Sequence, residues 1–319
     1  MPVQVRLKRS IPVPRVIFYG LIAALVLLCV LCIALPLLIH LLKPRCAKTD
    51  DTSIVEPPIR LSSSLIPEKY FLSIKLFLPS STVNYDRNMD FTFSGNVTIH
   101  FQCVQETSEI ALHVDRLRIA ESSFHLVERS LQAKQIKLDK MQTFVAVEQT
   151  VFRLAKPLKP GAYALHLSYS GILSESLEGF YRSSYVENNE KKWLAVTQFQ
   201  PTHARRALPC FDEPHLKAEF AITVTAPSNM KALSNAIEES ERLIGGGWKT
   251  TRYKLSPKMS TYLVAIVVCE FEHTAAKTKR GTLASFRDCQ SHVNCQFCPY
   301  SSAYGLVRPW SLKESSPRK

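Results

Sequence analysis

Two hydrophobic patterns divide this 319-residue chain. Near the N-terminus, positions 16–42 run 27 residues without Lys, Arg, Asp or Glu, broken only by Gly20, Pro36 and His40. At about 1.5 Å per residue, a helix of this length crosses a hydrocarbon core of about 30 Å with length left for tilt. The run is longer than the apolar core of a cleaved signal peptide. It ends Ile39-His40-Leu41-Leu42-Lys43, with no small-residue cleavage site. The pattern predicts an uncleaved signal-anchor helix over 16–42, with a cytoplasmic tail at 1–15 and a charged stalk over 43–58 that ends Glu56-Pro57-Pro58. Downstream the period changes to two. The segments 70–78 (YFLSIKLFL), 91–101 (FTFSGNVTIHF), 110–114, 143–147, 163–169 (YALHLSY), 220–226 (FAITVTA) and 262–268 (YLVAIVV) are short and rich in β-branched and aromatic residues. Turn formers separate them, among them Pro79-Ser80, Lys159-Pro160-Gly161 and Gly245-Gly246-Gly247. The expected fold class is mainly β: one transmembrane helix, then an antiparallel β-sandwich or curved saddle over 59–281. From 282 to 319 alternation stops, and Ser, Cys, Pro and basic residues predict a disordered tail.

The chain is 46% hydrophobic and 21% charged, enough apolar material for a packed core. Its formal net charge of +13 points at first to nucleic acid or another acidic surface. The location of that charge removes the reading. Residues 1–48 hold seven basic residues and no acid, and 277–319 hold eight against Asp288 and Glu314, whereas 49–276 balances 25 against 25. A nucleic-acid-binding fold needs its excess on the folded body, where it displaces counterions from phosphate. No nucleic-acid partner is expected. The short acid-free N-terminal tail, with Asp50 and Asp51 beyond the span, favours a cytoplasmic N-terminus. That gives a single-pass type II membrane protein of the plasma membrane or secretory pathway, its ectodomain extracellular or lumenal. Asn96-Val97-Thr98 fits that side as a glycosylation acceptor. Seven of the nine cysteines lie outside the span, an odd number that leaves a thiol over if the rest pair. Cys289, His292, Cys295 and Cys298 are zinc-ligand residue types, but their spacing is tighter than a familiar finger and an oxidising compartment favours disulfides.

The densest chemistry lies in TQFQPTHARRALPCFDEP at 197–214, followed by Lys217-Ala218-Glu219-Phe220. Three prolines, the pair Arg205-Arg206 and the pair Asp212-Glu213 predict a loop held by ion pairs. The string resembles the signature of the aminopeptidase N-like zinc aminopeptidases, gluzincins that remove single residues from peptide N-termini. Other stretches agree in order: Arg60-Leu61 with Ile66-Pro67 and Tyr70, Phe93-Ser94-Gly95, the GFYRSSY run at 179–185, Ala232-Leu233-Ser234-Asn235 and the MSTYLVA run at 259–265. The resemblance covers about 59–281. It implies a saddle-shaped β domain that packs on a thermolysin-like catalytic domain and sends a Gln-containing loop into the active site. It further implies that Gln198 and Gln200 line the pocket for the free N-terminus of a peptide substrate. The anchor and stalk suit type II membrane members of the family. Their dimers use a C-terminal helical domain, so a monomer is expected here. His203 is read as a surface residue.

The family's zinc is held by an H-E-x-x-H helix and a downstream Glu. None of the nine histidines here is followed by Glu, and the family's G-A-M-E-N exopeptidase segment is absent from the sequence. There is also no G-x-S-x-G elbow and no P-loop, and His100 and His113 fall in strand-like stretches. The expectation is therefore the N-terminal portion of a membrane zinc aminopeptidase without its catalytic domain, inactive alone, with no catalytic or metal residue and no cofactor of its own; zinc belongs to the full-length family enzyme. A natural truncation and an incomplete gene both fit. The alternative is a membrane-tethered β module that binds peptides or a protein partner without catalysis.

Overall fold

The computed structural model describes residues 57–130, 134–187, 189–277 and 283–288. The expected cytoplasmic tail, the membrane helix over 16–42, most of the stalk, and Cys289, His292, Cys295 and Cys298 lie outside the described residues. Among the described residues no helix is long and apolar enough to cross a membrane.

The described chain is strand with short 3-10 turns. In order the strands are β1 (Leu65–Phe77), β2 (Thr92–Cys103), β3 (Thr107–His113), β4 (Arg118–Ile119), β5 (His125–Glu128), β6 (Gln135–Ile136), β7 (Leu138–Phe144), β8 (Gln149–Leu158), β9 (Gly161–Ile172), β10 (Gly179–Glu187), β11 (Glu190–Gln198), β12 (Glu219–Pro227), β13 (Lys231–Ser234), β14 (Glu238–Gly245), β15 (Trp248–Tyr253), β16 (Ile266–Cys269), β17 (Glu272–Lys277) and β18 (Leu283–Asp288). A nine-stranded sheet runs β14-β15-β12-β1-β2-β9-β5-β6, with β4 also on β9. A four-stranded sheet runs β10-β11-β16-β13, a three-stranded sheet runs β3-β8-β7, and β17 pairs with β18.

Alternation sets the large sheet. Along β1, Tyr70, Leu72, Ile74 and Leu76 are buried while Phe71 and Ser73 face out. They lie opposite Ile99, Val97, Gly95 and Phe93 of β2, which in turn lie opposite Leu165, Leu167, Tyr169 and Gly171 of β9. Small faces large in that grid: a Cβ on Gly95 would fall 2.3 Å from the Tyr169 ring, and one on Gly171 would fall 2.5 Å from Phe93. One core cluster joins this face to Ile110, Leu112 and Phe152 of the three-stranded sheet and to Phe180, Ala195 and Val268 of the four-stranded sheet.

The expected mainly-β class holds, with departures in detail. The large sheet is not wholly antiparallel: β1 pairs β12 in parallel, Tyr70 opposite Phe220, their rings stacked at 4.8 Å. A parallel pair cannot be closed by a hairpin, and the long connection between these two strands carries β2 and β9 of the same sheet, the whole three-stranded sheet and the β10–β11 hairpin. Two expected strands are cut short by turns. In 143–147, β7 ends at Phe144, and Val145–Val147 is a 3-10 turn that leaves Glu148 at φ 53. In 262–268, Thr261–Leu263 is a 3-10 turn and β16 begins only at Ile266. Both turns carry a side chain to the 197–214 segment. Leu283–Asp288, within the expected tail, is a strand paired with Glu272–Lys277.

Candidate functional site

The 197–214 segment begins as the end of β11, passes a 3-10 turn at Ala204–Arg206, and is buried for most of its remaining length. Its frame is an ion-pair network. The Arg205 guanidinium donates from Nε to Asp212 Oδ2 at 3.0 Å, from Nη1 to Glu148 Oε2 at 2.9 Å and from Nη2 to the Asp212 carbonyl at 3.3 Å. Thr261 Oγ1 donates to Asp212 Oδ1 at 2.5 Å. The side chains of Arg205 and Asp212 are only 10% and 2% exposed, so the pair is held away from water. Both charges are matched by neighbours, the condition under which burial of an ion pair is tolerable.

His113 closes the network from β3. Asp212 N–H donates to its Nδ1 at 3.3 Å, and its backbone exchanges hydrogen bonds with Cys210 at 2.9 and 3.2 Å. Burial, and then the Arg205 charge, push its pKa down to about 4. The imidazole is therefore neutral and serves as an acceptor. Arg206 turns the other way, donating to Asp115 at 2.8 Å and to Glu178 at 2.8 Å. Gly179, at φ +70, lets β10 begin against Arg206, since a Cβ there would lie 3.0 Å from that side chain. Cys210 and Phe211 are core residues, and Phe211 N–H donates to Tyr70 Oη at 3.1 Å. Burial pushes the Cys210 thiol well above its usual range, so it is inert.

The sequence-derived candidates fall on the margin of this frame. Gln198 ends β11 and is half-buried; Phe199 is buried and pins the chain; Gln200 is exposed. No other described residue hydrogen-bonds either glutamine side chain. His203 is not a freely exposed residue: its side chain is 16% exposed, and Nε2 lies 3.8 Å from Glu178. The packed turn at Ala204–Arg206 draws it in. Asn96 lies on the outer face of β2, exposed, its Oδ1 accepting from Ser168 Oγ at 2.6 Å. Among the described residues no group of three or more His, Cys, Asp or Glu is arranged to hold a metal ion. The expected ion pairing within the loop is present as Arg205–Asp212. The roles of Glu148, Asp115, Glu178 and Thr261 come from distant segments and left no local signal.

This β architecture and the signature loop define an N-terminal domain of the zinc peptidase type. The family model for the Peptidase M1 N-terminal domain matches residues 66–263, and the chain belongs to that family. Aminopeptidase N of Homo sapiens is 35% identical over 246 residues, 75% of this chain and 25% of the relative. Aminopeptidase M1 of Arabidopsis thaliana is 37% identical over 222 residues, 70% of this chain and 24% of the relative. Aminopeptidase Ey of Gallus gallus is 36% identical over 228 residues, 69% and 23% respectively. The chain thus spans about a quarter of the length of the relatives it matches.

Two outcomes test the frame. Asp212→Ala leaves the buried Arg205 guanidinium with Glu148 as its one carboxylate partner, and urea unfolding should show a loss of about 3–5 kcal/mol. The double variant Arg205→Met/Asp212→Leu should lose less than either single change, because the one charge left without its partner, Glu148, is 36% exposed and can be hydrated. The second outcome concerns pH. The unfolded chain protonates His113 near pH 6.5, and the folded chain does so only at about 4. Between those values the unfolded state binds the extra proton, so stability is full above about pH 6.5 and falls towards pH 4, by up to about 3 kcal/mol. Unfolding free energies measured across that range should fall with acidification and flatten in His113→Gln; an unchanged slope would remove His113 from this role.

Proposed function

We propose that this chain is the N-terminal portion of a membrane-bound zinc aminopeptidase that removes single residues from peptide N-termini, supplying a substrate-facing edge and not the catalytic centre. The observation that carries this reading is the position of Gln200, exposed directly after the buried anchor Phe199 on a loop fixed by the Arg205–Asp212 network. A neutral amide there accepts from a peptide ammonium group without the strength of a carboxylate. The residues present do not fit the family's zinc centre, since none of the nine histidines begins H-E-x-x-H. The chain is then not catalytic alone. The purified protein, incubated with zinc and aminoacyl anilides, should release nothing above a blank; zinc-dependent release of the N-terminal residue would overturn this reading. Calorimetry with free-amine peptides tests the alternative of a peptide-binding module, which requires measurable heat at millimolar peptide.

The same proposal anchors the chain through 16–42 as a type II membrane protein and places Asn96 in the lumen. The exposure of Asn96 leaves room for a glycan. Expressed in cells, the protein should migrate faster after N-glycosidase treatment, and Asn96→Gln should abolish the shift. Unglycosylated protein with an intact sequon would count against a lumenal ectodomain.

A further inference from the structure

Away from the 197–214 segment, the β10–β11 hairpin carries a second polar constellation. In antiparallel register Ser184 lies opposite Trp193 and Val186 opposite Lys191, so Arg182, Ser184, Lys191 and Trp193 share one face. Phe91 approaches from the turn before β2, its ring centroid 4.5 Å from that of Trp193. The Arg182 guanidinium lies 4.0 Å from the Phe91 centroid and 5.8 Å from that of Trp193, while Lys191 Nζ lies 4.2 Å from Trp193. Two cations thus flank one aromatic pair, each held by attraction to a ring face.

Three observations mark this place as more than packing. Phe91 adopts φ 62, a left-handed conformation that is strained for a bulky residue. It is held there by its N–H donating to the Phe77 carbonyl at 2.7 Å and its carbonyl accepting from Leu173 N–H at 2.7 Å. Glycine would fit that backbone without strain; phenylalanine supplies the ring under Arg182. Next, Arg182 is paired with Glu175, whereas no carboxylate among the described residues pairs with the exposed Lys191. Finally, Glu175, Arg182, Ser183, Ser184, Lys191 and Trp193 line an open groove of about 270 Å³. Pockets for drug-sized ligands run from about 300 to 1,000 Å³, so this groove suits a smaller group.

We infer that the groove binds a single carboxylated sugar ring, such as a uronic or sialic acid, at the end of a glycan. Its carboxylate would meet Lys191 with Arg182 beside it, a charge-assisted contact for an otherwise unpaired cation. Ser184 Oγ and the Glu175 carboxylate offer partners for ring hydroxyls, and Trp193, the one aromatic side chain lining the groove, offers an apolar surface for the ring's C–H face. The mixture of an acceptor carboxylate, a hydroxyl, an aromatic surface and a spare cation matches an acidic sugar better than a simple anion, which needs neither the acceptor nor the ring surface.

Saturation-transfer NMR on the full chain in detergent micelles tests the site with glucuronate and N-acetylneuraminate, against glucose, acetate and an Asp-rich peptide. The expected result is transfer to the ring protons of one or both acidic sugars, with millimolar affinity. Lys191→Glu should weaken it about tenfold or more, and Arg182→Gln less, with circular dichroism unchanged in both. Transfer to neither acidic sugar would overturn the inference. So would equal transfer to glucose, an equal response to acetate or the peptide, or binding unchanged in Lys191→Glu. If Lys191→Glu lost its fold, Lys191→Met would replace it and should show the same loss.

Discussion

The buried contact between Arg205 and Asp212 is the constraint on which the arrangement of this domain turns. Two full charges are almost removed from water, and every strong donor and acceptor near them is matched: Arg205 by Asp212 and Glu148, Asp212 by Thr261 as well, and the Asp212 amide by His113. Such a network adds little net stability over a well-packed apolar substitute, but each member is costly to orphan. It therefore acts as a register pin. It ties the end of β3, the turn at Val145–Val147, the signature loop and the turn at Thr261–Leu263 to one another, segments that the chain order separates widely.

The pin determines how the loop presents itself. Cys210 and Phe211 are drawn into the core, Phe211 against the Tyr70 hydroxyl and thereby against the parallel β1–β12 pair. Arg206, facing away, binds Asp115 and Glu178 and passes over Gly179. The chain entering this region is held by Phe199, and the following peptide projects Gln200 outward. The backbone that carries Gln200 is fixed on both sides, so contact with a ligand costs the ordering of its side chain but little backbone entropy, the usual benefit of preorganisation. Most of the signature string thus builds the support, and few of its residues are free to touch anything else.

Much of this is legible in the amino-acid sequence. Alternation in 70–78, 91–101, 163–169 and 220–226 named the four central strands, because each buries one face and wets the other. The strands β10 and β11 were harder to read: KKWLAVTQ mixes charge, aromatic and apolar residues because one end is core and the other is rim. The turns at Val145–Val147 and Thr261–Leu263 escaped because their sequences favour strands; tertiary hydrogen bonds to the network override that preference. That the two arginines and the Asp-Glu pair of this loop would form ion pairs is legible from their closeness in sequence, but which of them pair is not: Arg205 takes Asp212, whereas Arg206 turns to Asp115 and Glu178, and Glu213 to Arg60, partners that topology alone brings in. Nothing local announced that Phe91 would occupy a left-handed turn.

The charge distribution gives the groove on the β10–β11 hairpin its significance. The chain's excess of +13 lies wholly in 1–48 and 277–319, and the segment between is neutral. On a uniformly basic body, one unpaired lysine over a tryptophan would be an ordinary member of a positive field. Here most cations near the site face carboxylates: Arg182 with Glu175, Lys192 with Glu187 and Glu270, Arg206 with Asp115 and Glu178. Lys191, on the same hairpin, instead leans over an indole beside a strained phenylalanine. At physiological ionic strength exposed charges are screened beyond about 8 Å. The field at the groove is therefore local: Lys191, Arg182 and Glu175 line it with one net positive charge, and Glu187, Glu190 and Lys192 of the same hairpin adjoin it. A ligand recognised there must come close enough to meet the rings and hydroxyls as well as the charge, and so short-range fit, not long-range attraction, selects it.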